Sequence, residues 1–249
     1  MSIALAGRTA LVTGGARGIG LELSRQLIAQ GCKVVAVGRN MQQLETLKSV
    51  AANNVAIIQA DLSRQDDVDR LVAQVATDHP DISILINNAG VQKEMNLFAD
   101  AVEGSIASAR QEIALNLDGL VSLTLGLLPQ LAAQNAAAIV NISSGLAISP
   151  KAASPVYCAT KAATRSFSQA LRYQCEDHAA HIKVTEAIMA LVDTDMTAGR
   201  GTGKITAQNA AAEVIAGLAR GQSEVWVGKA KVLRLLHRAL PSVAARIMR

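Results

Sequence analysis

Tyr157 and Lys161 are one helical turn apart in the segment SPVYCATKAATRS, residues 154–166. Residues four apart lie on the same face of a helix, so the phenol and the ammonium point in the same direction. A phenol with a pKa near 10 is poorly matched to proton transfer at neutral pH. A partly desolvated ammonium at about 4 Å can supply the roughly 4 kcal/mol that lowers this pKa by about three units. The pair predicts a general acid/base, although a helix-start tyrosine and a solvated lysine would show the same spacing.

A glycine-rich turn, TGGARGIG at residues 13–20, lies between the first predicted strand and the first predicted helix. Its glycines at Gly14, Gly18 and Gly20 permit a sharp turn. They also let the backbone approach a pyrophosphate at the helix N-terminus, where free N–H groups favour anions. The turn predicts a dinucleotide site, and this makes the catalytic interpretation of Tyr157 and Lys161 the preferred one.

The second predicted strand ends in VAVGRN, residues 35–40, with Gly38 and Arg39 where NAD enzymes usually carry an acid. Arg17 adds a second cation inside the glycine-rich turn. Two guanidiniums suit a phosphate monoester, which they can bind in forked geometry. Both arginines could instead be solvated surface charges. The missing acid favours NADP(H) over NAD.

Short apolar runs alternate with amphipathic stretches along the chain. The runs predict strands at 9–14, 33–38, 55–61, 82–90, 137–144, 181–190 and 223–228. The stretches predict helices at 20–31, 42–50, 65–79, 105–133, 155–178 and 206–220. Strands that are apolar on both faces and alternate with helices indicate a buried parallel sheet. We expect one α/β domain over residues 1–249, a Rossmann-type doubly wound parallel sheet with helices on both faces and ligands at the carboxyl ends of the strands.

Composition excludes several classes of protein. The 249 residues carry a net charge of +4 and only 2% aromatics, so we expect no nucleic-acid partner. Cys32, Cys158 and Cys175 have no CxxC spacing and predict reduced thiols in the cytoplasm. The histidines form no ligand pattern, so we expect no metal. The longest apolar stretch is about half of the roughly 20 residues that span a bilayer, and the N-terminus lacks the features of a signal peptide.

Six motifs, in order, resemble those of the short-chain dehydrogenase/reductase family, and the likeness runs from residue 8 to about 230. They are TGGARGIG, DL at 61–62, NNAG at 87–90, Asn116 in ALNLDG, NISS at 141–144 and YCATK at 157–161. The resemblance implies an NADP(H)-dependent carbonyl reductase or alcohol dehydrogenase acting on a small carbonyl or alcohol substrate. It also implies a homodimer or homotetramer formed through the helices at 105–133 and 155–178.

The same resemblance assigns roles to individual residues. Tyr157 resembles the general acid/base and Lys161 its partner. Ser144 matches the substrate-orienting serine better than Ser143, and Asn116 resembles the asparagine that holds a water in the proton path. Asp61 and Leu62 would lie beside the adenine, residues 88–90 beside the ribose, and Thr194 at the nicotinamide amide. The implied cofactor-binding set is Gly14, Arg17, Gly18, Ile19, Gly20, Arg39, Asp61, Leu62, Asn88, Ala89, Gly90, Tyr157, Lys161, Val192 and Thr194.

Substrate is expected against three segments that follow strand ends, residues 91–95, 145–153 and 191–203. Their apolar side chains suggest an apolar or aromatic ketone or aldehyde, or else they only support the loops. Gly199, Gly201 and Gly203 suggest hinges of a closing lid. The family usually has Pro-Gly where this chain has Met189 and Ala190, which puts the placement of the nicotinamide in question.

Residues 229–249 form a basic amphipathic segment of the same domain. Its cations, interleaved with apolar residues, are Lys229, Lys231, Arg234, Arg238, Arg246 and Arg249. Such a segment could lie on an anionic membrane. We favour packing over the substrate mouth or a neighbouring subunit, and do not expect a membrane partner.

Two other functions are compatible with a dinucleotide-binding fold. A non-catalytic dinucleotide-sensing or scaffold protein could share the fold, but the intact serine, tyrosine, lysine and asparagine set argues against it. A sugar-nucleotide epimerase or dehydratase normally needs a larger C-terminal domain than the roughly sixty residues that follow residue 190.

Overall fold

Seven parallel strands form the central sheet. The computed structural model describes residues 2–51 and 53–248, except for the side chains of residues 244, 245, 247 and 248. The strands are β1 Thr9–Thr13, β2 Lys33–Gly38, β3 Val55–Gln59, β4 Ile82–Asn87, β5 Ala137–Ser144 and β6 Ile182–Met189, followed by two short strands, β7 Val192–Asp193 and β8 Ile205–Thr206, and by β9 Glu224–Trp226. The sheet order is β3-β2-β1-β4-β5-β6-β9, and β7 pairs separately with β8. The predicted doubly wound α/β fold is confirmed.

Helices cover both faces of this sheet. They are α1 Gly18–Ala29, α2 Met41–Val50, α3 Gln65–Asp78, α4 Val102–Ile113, α5 Gly119–Ala132, α6 Pro155–His178, α7 Ala207–Ala219, α8 Ala230–Ala239 and α9 Pro241–Met248. The sequence predicts one helix over 105–133, whereas the structure has a π-helical turn, Ala114–Asp118, between α4 and α5. The side chain of Asn116 in this turn bonds to the backbone of Val91, a long-range contact that local periodicity does not reveal.

Alternate residues of each strand enter separate cores. Ala10 and Val12 of β1 pack in a cluster that includes side chains of α1, α2 and α7. Leu11, between them, packs in a second cluster with side chains of α3, α5 and α6. Since successive strand side chains point to opposite faces, both faces of the sheet are buried, as the continuous apolar runs predict.

The helical run Val102–Ala132 is long and apolar enough to cross a membrane by length and composition alone. The buried side chains of its α5 part, including Leu123, Leu127 and Leu131, belong to the core cluster below the sheet. This packing is that of a core helix.

The strand order reverses between β1 and β4. In open α/β sheets this switch point leaves a crevice at the carboxyl ends of the strands. Here the crevice opens into a cavity of ≈ 1560 Å³.

Candidate active site

This cavity brings together most of the residues that the sequence predicts for the site. The predicted residues that line it are Gly14, Arg17, Gly18, Ile19, Arg39, Leu62, Asn88, Ala89, Gly90, Ser144, Tyr157, Lys161, Val192 and Thr194. Three predicted residues do not line the cavity: Gly20, Asp61 and Asn116. They influence the site only through the residues that they contact. We call the part around Arg17 and Arg39 the phosphate end. The part around Ser144 and Tyr157, on the other side of β4, is the catalytic end.

The glycine-rich turn is packed backbone against backbone. Gly14 and Gly18 have φ values of 63° and 51°, which favour glycine. A methyl group on Gly20 would lie 2.0 Å from the carbonyl oxygen of Gly14, so Gly20 closes the turn from behind. The free N-terminus of α1 consequently faces the cavity, and this geometry fits the pyrophosphate of a dinucleotide.

Thr13 is a structural residue of the site that the sequence argument misses. Its hydroxyl oxygen accepts hydrogen bonds from the backbone N–H groups of Asn88 and Ala89, both at 2.9 Å. The Asn88 side-chain amide in turn donates to the carbonyl oxygen of Thr13 at 2.9 Å. These bonds fix the segment after β4 against the end of β1. A threonine at the last position of a strand is the only local signal for this role.

Arg39 and Asp61 form an ion pair beside the phosphate end. Arg39 Nη1 lies 3.6 Å from Asp61 Oδ2, and the arginine side chain remains 47% exposed. Burial acts to raise the pKa of Asp61, but hydrogen bonds from Ser63 and the charge of Arg39 bring it below its usual value. Asp61 is therefore a carboxylate that orients Arg39, and the exposed part of the guanidinium lies at the cavity wall, where a phosphate could bind it.

Ser144, Tyr157 and Lys161 meet at the catalytic end. Ser144 is the last residue of β5, and Tyr157 is in the first turn of α6, which Pro155 begins. The Lys161 ammonium is 5.6 Å from the centre of the Tyr157 ring, as expected for residues on one helix face. It is buried and donates a hydrogen bond to the carbonyl oxygen of Ile142 at 2.8 Å.

The pKa values of Tyr157 and Lys161 are both set by burial. Burial raises the pKa of Tyr157 to about 12, and a hydrogen bond with Ser144 only partly opposes this. Burial lowers the pKa of Lys161 to about 8. The lowering of the Tyr157 pKa that is expected from Lys161 together with the positive charge of oxidised nicotinamide stays a prediction. Desolvation is the largest cause of both shifts, and the hydrogen bond of the ammonium goes to the carbonyl oxygen of Ile142.

Asn116 and Glu112 hold the segment after β4 from the helix side. Asn116 Oδ1 accepts from the backbone N–H of Val91 and its Nδ2 donates to the Val91 carbonyl oxygen, both at 2.8 Å. Nδ2 also donates to the hydroxyl of Thr160 at 3.3 Å. One turn earlier, Glu112 Oε1 accepts from the backbone N–H of Lys93 at 2.8 Å. Because these contacts occupy the Asn116 amide, its side chain positions the loop; the predicted water-holding role stays a prediction.

The three predicted substrate segments form one rim, which we call the substrate rim (residues 91–95, 145–153 and 191–203). Glu94 Oε1 lies 3.3 Å from Lys151 Nζ and 3.5 Å from Arg200 Nε, so it bridges the second and third segments. The glycines of the third segment, Gly199, Gly201 and Gly203, all have positive φ. This geometry suits a bent loop, and its predicted closure over substrate stays a prediction.

Helix α8 covers the mouth of the cavity. Val232, Leu233 and Leu236 line the cavity, and a methyl group on Gly145 would lie 2.7 Å from Leu233. The first part of the C-terminal segment therefore packs over the cavity, and the predicted role of the whole segment at the substrate mouth stays a prediction. Of its predicted cations, Arg249 lies outside the described residues.

Family comparison identifies the class of protein that carries this site. The family model described as short chain dehydrogenase matches residues 8–205, which include the glycine-rich turn and the Ser144, Tyr157 and Lys161 set. The chain belongs to the short chain dehydrogenase family. It is an oxidoreductase of that family.

Individual members of the family resemble most of this chain. The uncharacterized oxidoreductase DltE of Bacillus subtilis is 39% identical over 188 residues, which are 76% of this chain and 73% of that protein. The NADP-dependent 3-hydroxy acid dehydrogenase YdfG of Escherichia coli is 36% identical over 182 residues, 73% of this chain and 71% of that protein. A crystal structure of a short chain dehydrogenase from Burkholderia cenocepacia in complex with NADP has a TM-score of 0.87 at 27% identity, covering 99% of this chain and 100% of that chain.

Met189 and Ala190 depart from the short chain dehydrogenase pattern without disturbing the turn. Among the residues that the structure describes, only glycines have positive φ, so Ala190 adopts an ordinary backbone conformation. Strand β6 continues to Met189, and the chain then returns Val192 and Thr194 to the cavity wall. Thr194 also caps the short 3-10 turn Asp195–Thr197. The wall expected at the nicotinamide is therefore present.

Proposed function

We propose that this short chain dehydrogenase is an NADP(H)-dependent oxidoreductase that interconverts a carbonyl compound and the corresponding alcohol. The observation that supports the proposal is the meeting of Ser144, Tyr157 and the buried Lys161 at one end of a cavity whose other end carries Arg17 and Arg39. A site for proton transfer and a site for a phosphorylated dinucleotide thus share one continuous space.

Each side chain of the catalytic end has one task. NADPH, when bound, would supply the hydride for the carbonyl carbon. In reduction the Tyr157 hydroxyl would give its proton to the carbonyl oxygen. The Ser144 hydroxyl donates a hydrogen bond to the same oxygen and orients it. The Lys161 ammonium stabilises the phenolate that remains until a solvent proton replaces the lost one. Tyr157 is protonated at neutral pH, since its pKa is about 12, and it can therefore be the proton donor in reduction.

Arg39 supports the choice of NADP(H) over NAD(H). It stands at the end of β2, where an acid would repel the 2′-phosphate of NADP. Its guanidinium is oriented by Asp61 and half exposed towards the cavity. The NADP in the Burkholderia cenocepacia structure, which covers the whole of this chain, supports the same choice.

The proposal is tested by following the absorbance of NADPH and of NADH in the presence of a panel of ketones, aldehydes and oxo acids. We expect NADPH to be consumed faster than NADH with at least one compound. Turnover with NADH alone would contradict the cofactor assignment. If neither cofactor is consumed but NADPH binds, the non-catalytic sensing or scaffold function becomes the better account.

The substrate that the cavity favours has an apolar body. Leu146, Leu191, Leu233 and Leu236 line the wall around the catalytic end, which supports an apolar or aromatic carbonyl compound. The name of the Escherichia coli relative suggests a second class, 3-hydroxy acids, and the cations of the substrate rim favour that class.

We also propose self-association and a reducing compartment, the cytoplasm. Val102, Ile106 and Ile113 of α4 and Leu125 of α5 are large apolar side chains that are exposed on the helices predicted for the subunit interface. The three cysteines are free and buried. Light scattering coupled to gel filtration tests the first point: a monomer at micromolar concentration would contradict it.

A further inference from the structure

Two cations of the substrate rim share a single carboxylate. Lys151 and Arg200 come from different loops, and both approach the same oxygen of Glu94, at 3.3 and 3.5 Å. Lys151 and Arg200 line the cavity, whereas Glu94 is outside its lining. The side of this cluster that faces the cavity is therefore cationic.

Arg200 has unused hydrogen-bonding capacity at this place. Its Nη1 atom is buried and finds no hydrogen-bond partner within the described part of the chain, although the side chain as a whole is 27% exposed. Its contact with Glu94 is through Nε. Because the side chain is partly exposed and lines the cavity, its accessible N–H groups can still bind a second anion on that side.

These cations are distinct from those of the phosphate end. Glu94 follows β4 and Lys151 follows β5, the strand that ends at Ser144. Arg17 and Arg39 follow β1 and β2, across the switch point. The Arg200 cluster therefore lies on the side of the cavity where substrate, rather than the adenosine phosphate, would be bound.

We propose that Arg200, assisted by Lys151, binds a carboxylate of the substrate, so that the preferred substrates are oxo acids with an apolar body and the corresponding hydroxy acids. This inference rests on the proposed function. The apolar wall formed by Leu146 and Leu191 accepts the body of the molecule. Glu94 holds the two cations in place from outside, and the substrate carboxylate binds the face of Arg200 that Glu94 leaves free.

The test compares oxo acids with their methyl esters, which lack the charge that Arg200 would recognise and carry one additional methyl group. The acids carry the carboxylate one to three carbons from the ketone, and NADPH is the reductant. We expect a higher kcat/KM for at least one acid than for its ester. In Arg200→Gln the acid-to-ester ratio should fall by about tenfold to a hundredfold, as expected for loss of a charged hydrogen bond, and mainly through the KM of the acid. Arg200→Lys should recover part of the ratio, because it keeps the charge but not the fork.

Lys204→Gln is the matched control. Lys204 Nζ donates to the carbonyl oxygen of Thr197 at 2.6 Å and so holds the same loop, but it does not line the cavity. A loosened loop should affect acid and ester alike and leave their ratio unchanged. A ratio that is the same in wild type and Arg200→Gln, or that falls equally in Lys204→Gln, overturns the proposal.

Calorimetry measures carboxylate binding by Arg200 independently of catalysis. A saturated carboxylate and its methyl ester, neither of which can be reduced, are titrated into the protein in the presence of NADPH. We expect the carboxylate to bind about tenfold or more weakly to Arg200→Gln than to wild type. Equal binding to the two proteins overturns the role of Arg200. Absence of turnover with every carbonyl compound, together with weaker carboxylate binding in the variant, would instead contradict the proposed reaction and keep the anion site.

Discussion

A methyl group at Gly20, behind the phosphate end, would lie 2.0 Å from a backbone oxygen, whereas at Gly199, on the substrate rim, it would meet nothing within 4 Å. The same contrast holds for the polar contacts. The phosphate end is fixed by hydrogen bonds that each have a backbone group on one side, such as those between Asn88 and Thr13. The substrate rim is joined by side chains, and Lys151 and Glu94 are 40% and 43% exposed in their ion pair.

This difference indicates how the two ends can change. A site made of backbone contacts accepts one ligand shape, because almost any added atom displaces the main chain. A site made of exposed side chains can be altered one residue at a time while the fold is kept. We therefore expect mutations at the phosphate end to affect all substrates and mutations at the rim to affect particular ones.

Gly20→Ala should have the largest effect on cofactor binding. The added methyl group forces the Gly14 carbonyl to move, and overpacking of this kind costs about 1–3 kcal/mol. Expressed as affinity, NADPH should bind about tenfold to a hundredfold more weakly, which fluorescence titration can measure. Gly104→Ala on α4, where a methyl group meets nothing within 4 Å, is the control and should keep wild-type affinity. Equal affinity in both variants would refute the backbone account of the phosphate end.

Lys161 should make stability depend on pH in a defined direction. Its pKa falls from 10.5 to about 8 on folding, so between these values the unfolded chain holds a proton that the folded chain has lost. The free energy of unfolding should therefore rise from pH 8 to 10.5, by roughly 3 kcal/mol at 1.36 kcal/mol per pH unit.

Urea unfolding of wild type and Lys161→Met checks this prediction between pH 7.5 and 10. Tyr157 acts in the opposite direction from its unfolded pKa of 10.0 upwards, so the upper limit excludes most of its effect. The three buried cysteines, whose pKa values are raised from 9.0, also act in the opposite direction, but they do so in both proteins and cancel in the comparison. The rise should be absent from the variant. A parallel rise in both proteins would assign it to other groups.

Arg39→Ala should lower the affinity for NADPH but not the affinity for NADH. Loss of a charged hydrogen bond to the 2′-phosphate should weaken NADPH about tenfold to a hundredfold, while NADH, which lacks that phosphate, should bind as before. The two dissociation constants can be measured by the same fluorescence titration. Equal weakening of NADPH and NADH would mean that Arg39 acts through its ion pair with Asp61 rather than on the phosphate.

Gly199→Ala should have the smallest effect and completes the comparison with Gly20. An alanine at φ 73° is strained by roughly 1–2 kcal/mol, but no atom opposes it. We expect the thermal midpoint of unfolding to be modestly lower than that of wild type. The affinity for NADPH should stay within about twofold of wild type, since distant sites act independently. A loss of affinity as large as that of Gly20→Ala would remove the distinction between the two ends.

The phosphate end could be predicted from the sequence because its signals are local. Gly14, Gly18 and Gly20 lie in one turn between a strand and a helix, and Gly38 with Arg39 ends the next strand. The apolar runs likewise predict the seven strands of the sheet, and no boundary is displaced by more than three residues. Each of these signals is contained in a few consecutive residues.

Other features depend on residues that are far apart in sequence. The π-helical turn in the predicted helix 105–133 accompanies the contact between Asn116 and Val91. The cluster of Glu94, Lys151 and Arg200 unites three loops, and no single loop indicates it. The pKa of Tyr157 is raised because the folded protein desolvates the phenol. The four-residue spacing to Lys161 carries no information about this desolvation.

Tyr157→Phe tests most directly the claim that one phenol transfers the proton while a bound nicotinamide transfers the hydride. Rapid mixing of the NADPH-loaded protein with a reducible carbonyl compound measures the first turnover, and titration measures NADPH affinity separately. We predict a first-turnover rate about 10²- to 10⁴-fold below wild type, with NADPH affinity unchanged within about twofold, since Phe keeps the ring and loses only the hydroxyl. A first-turnover rate equal to that of wild type would contradict the account.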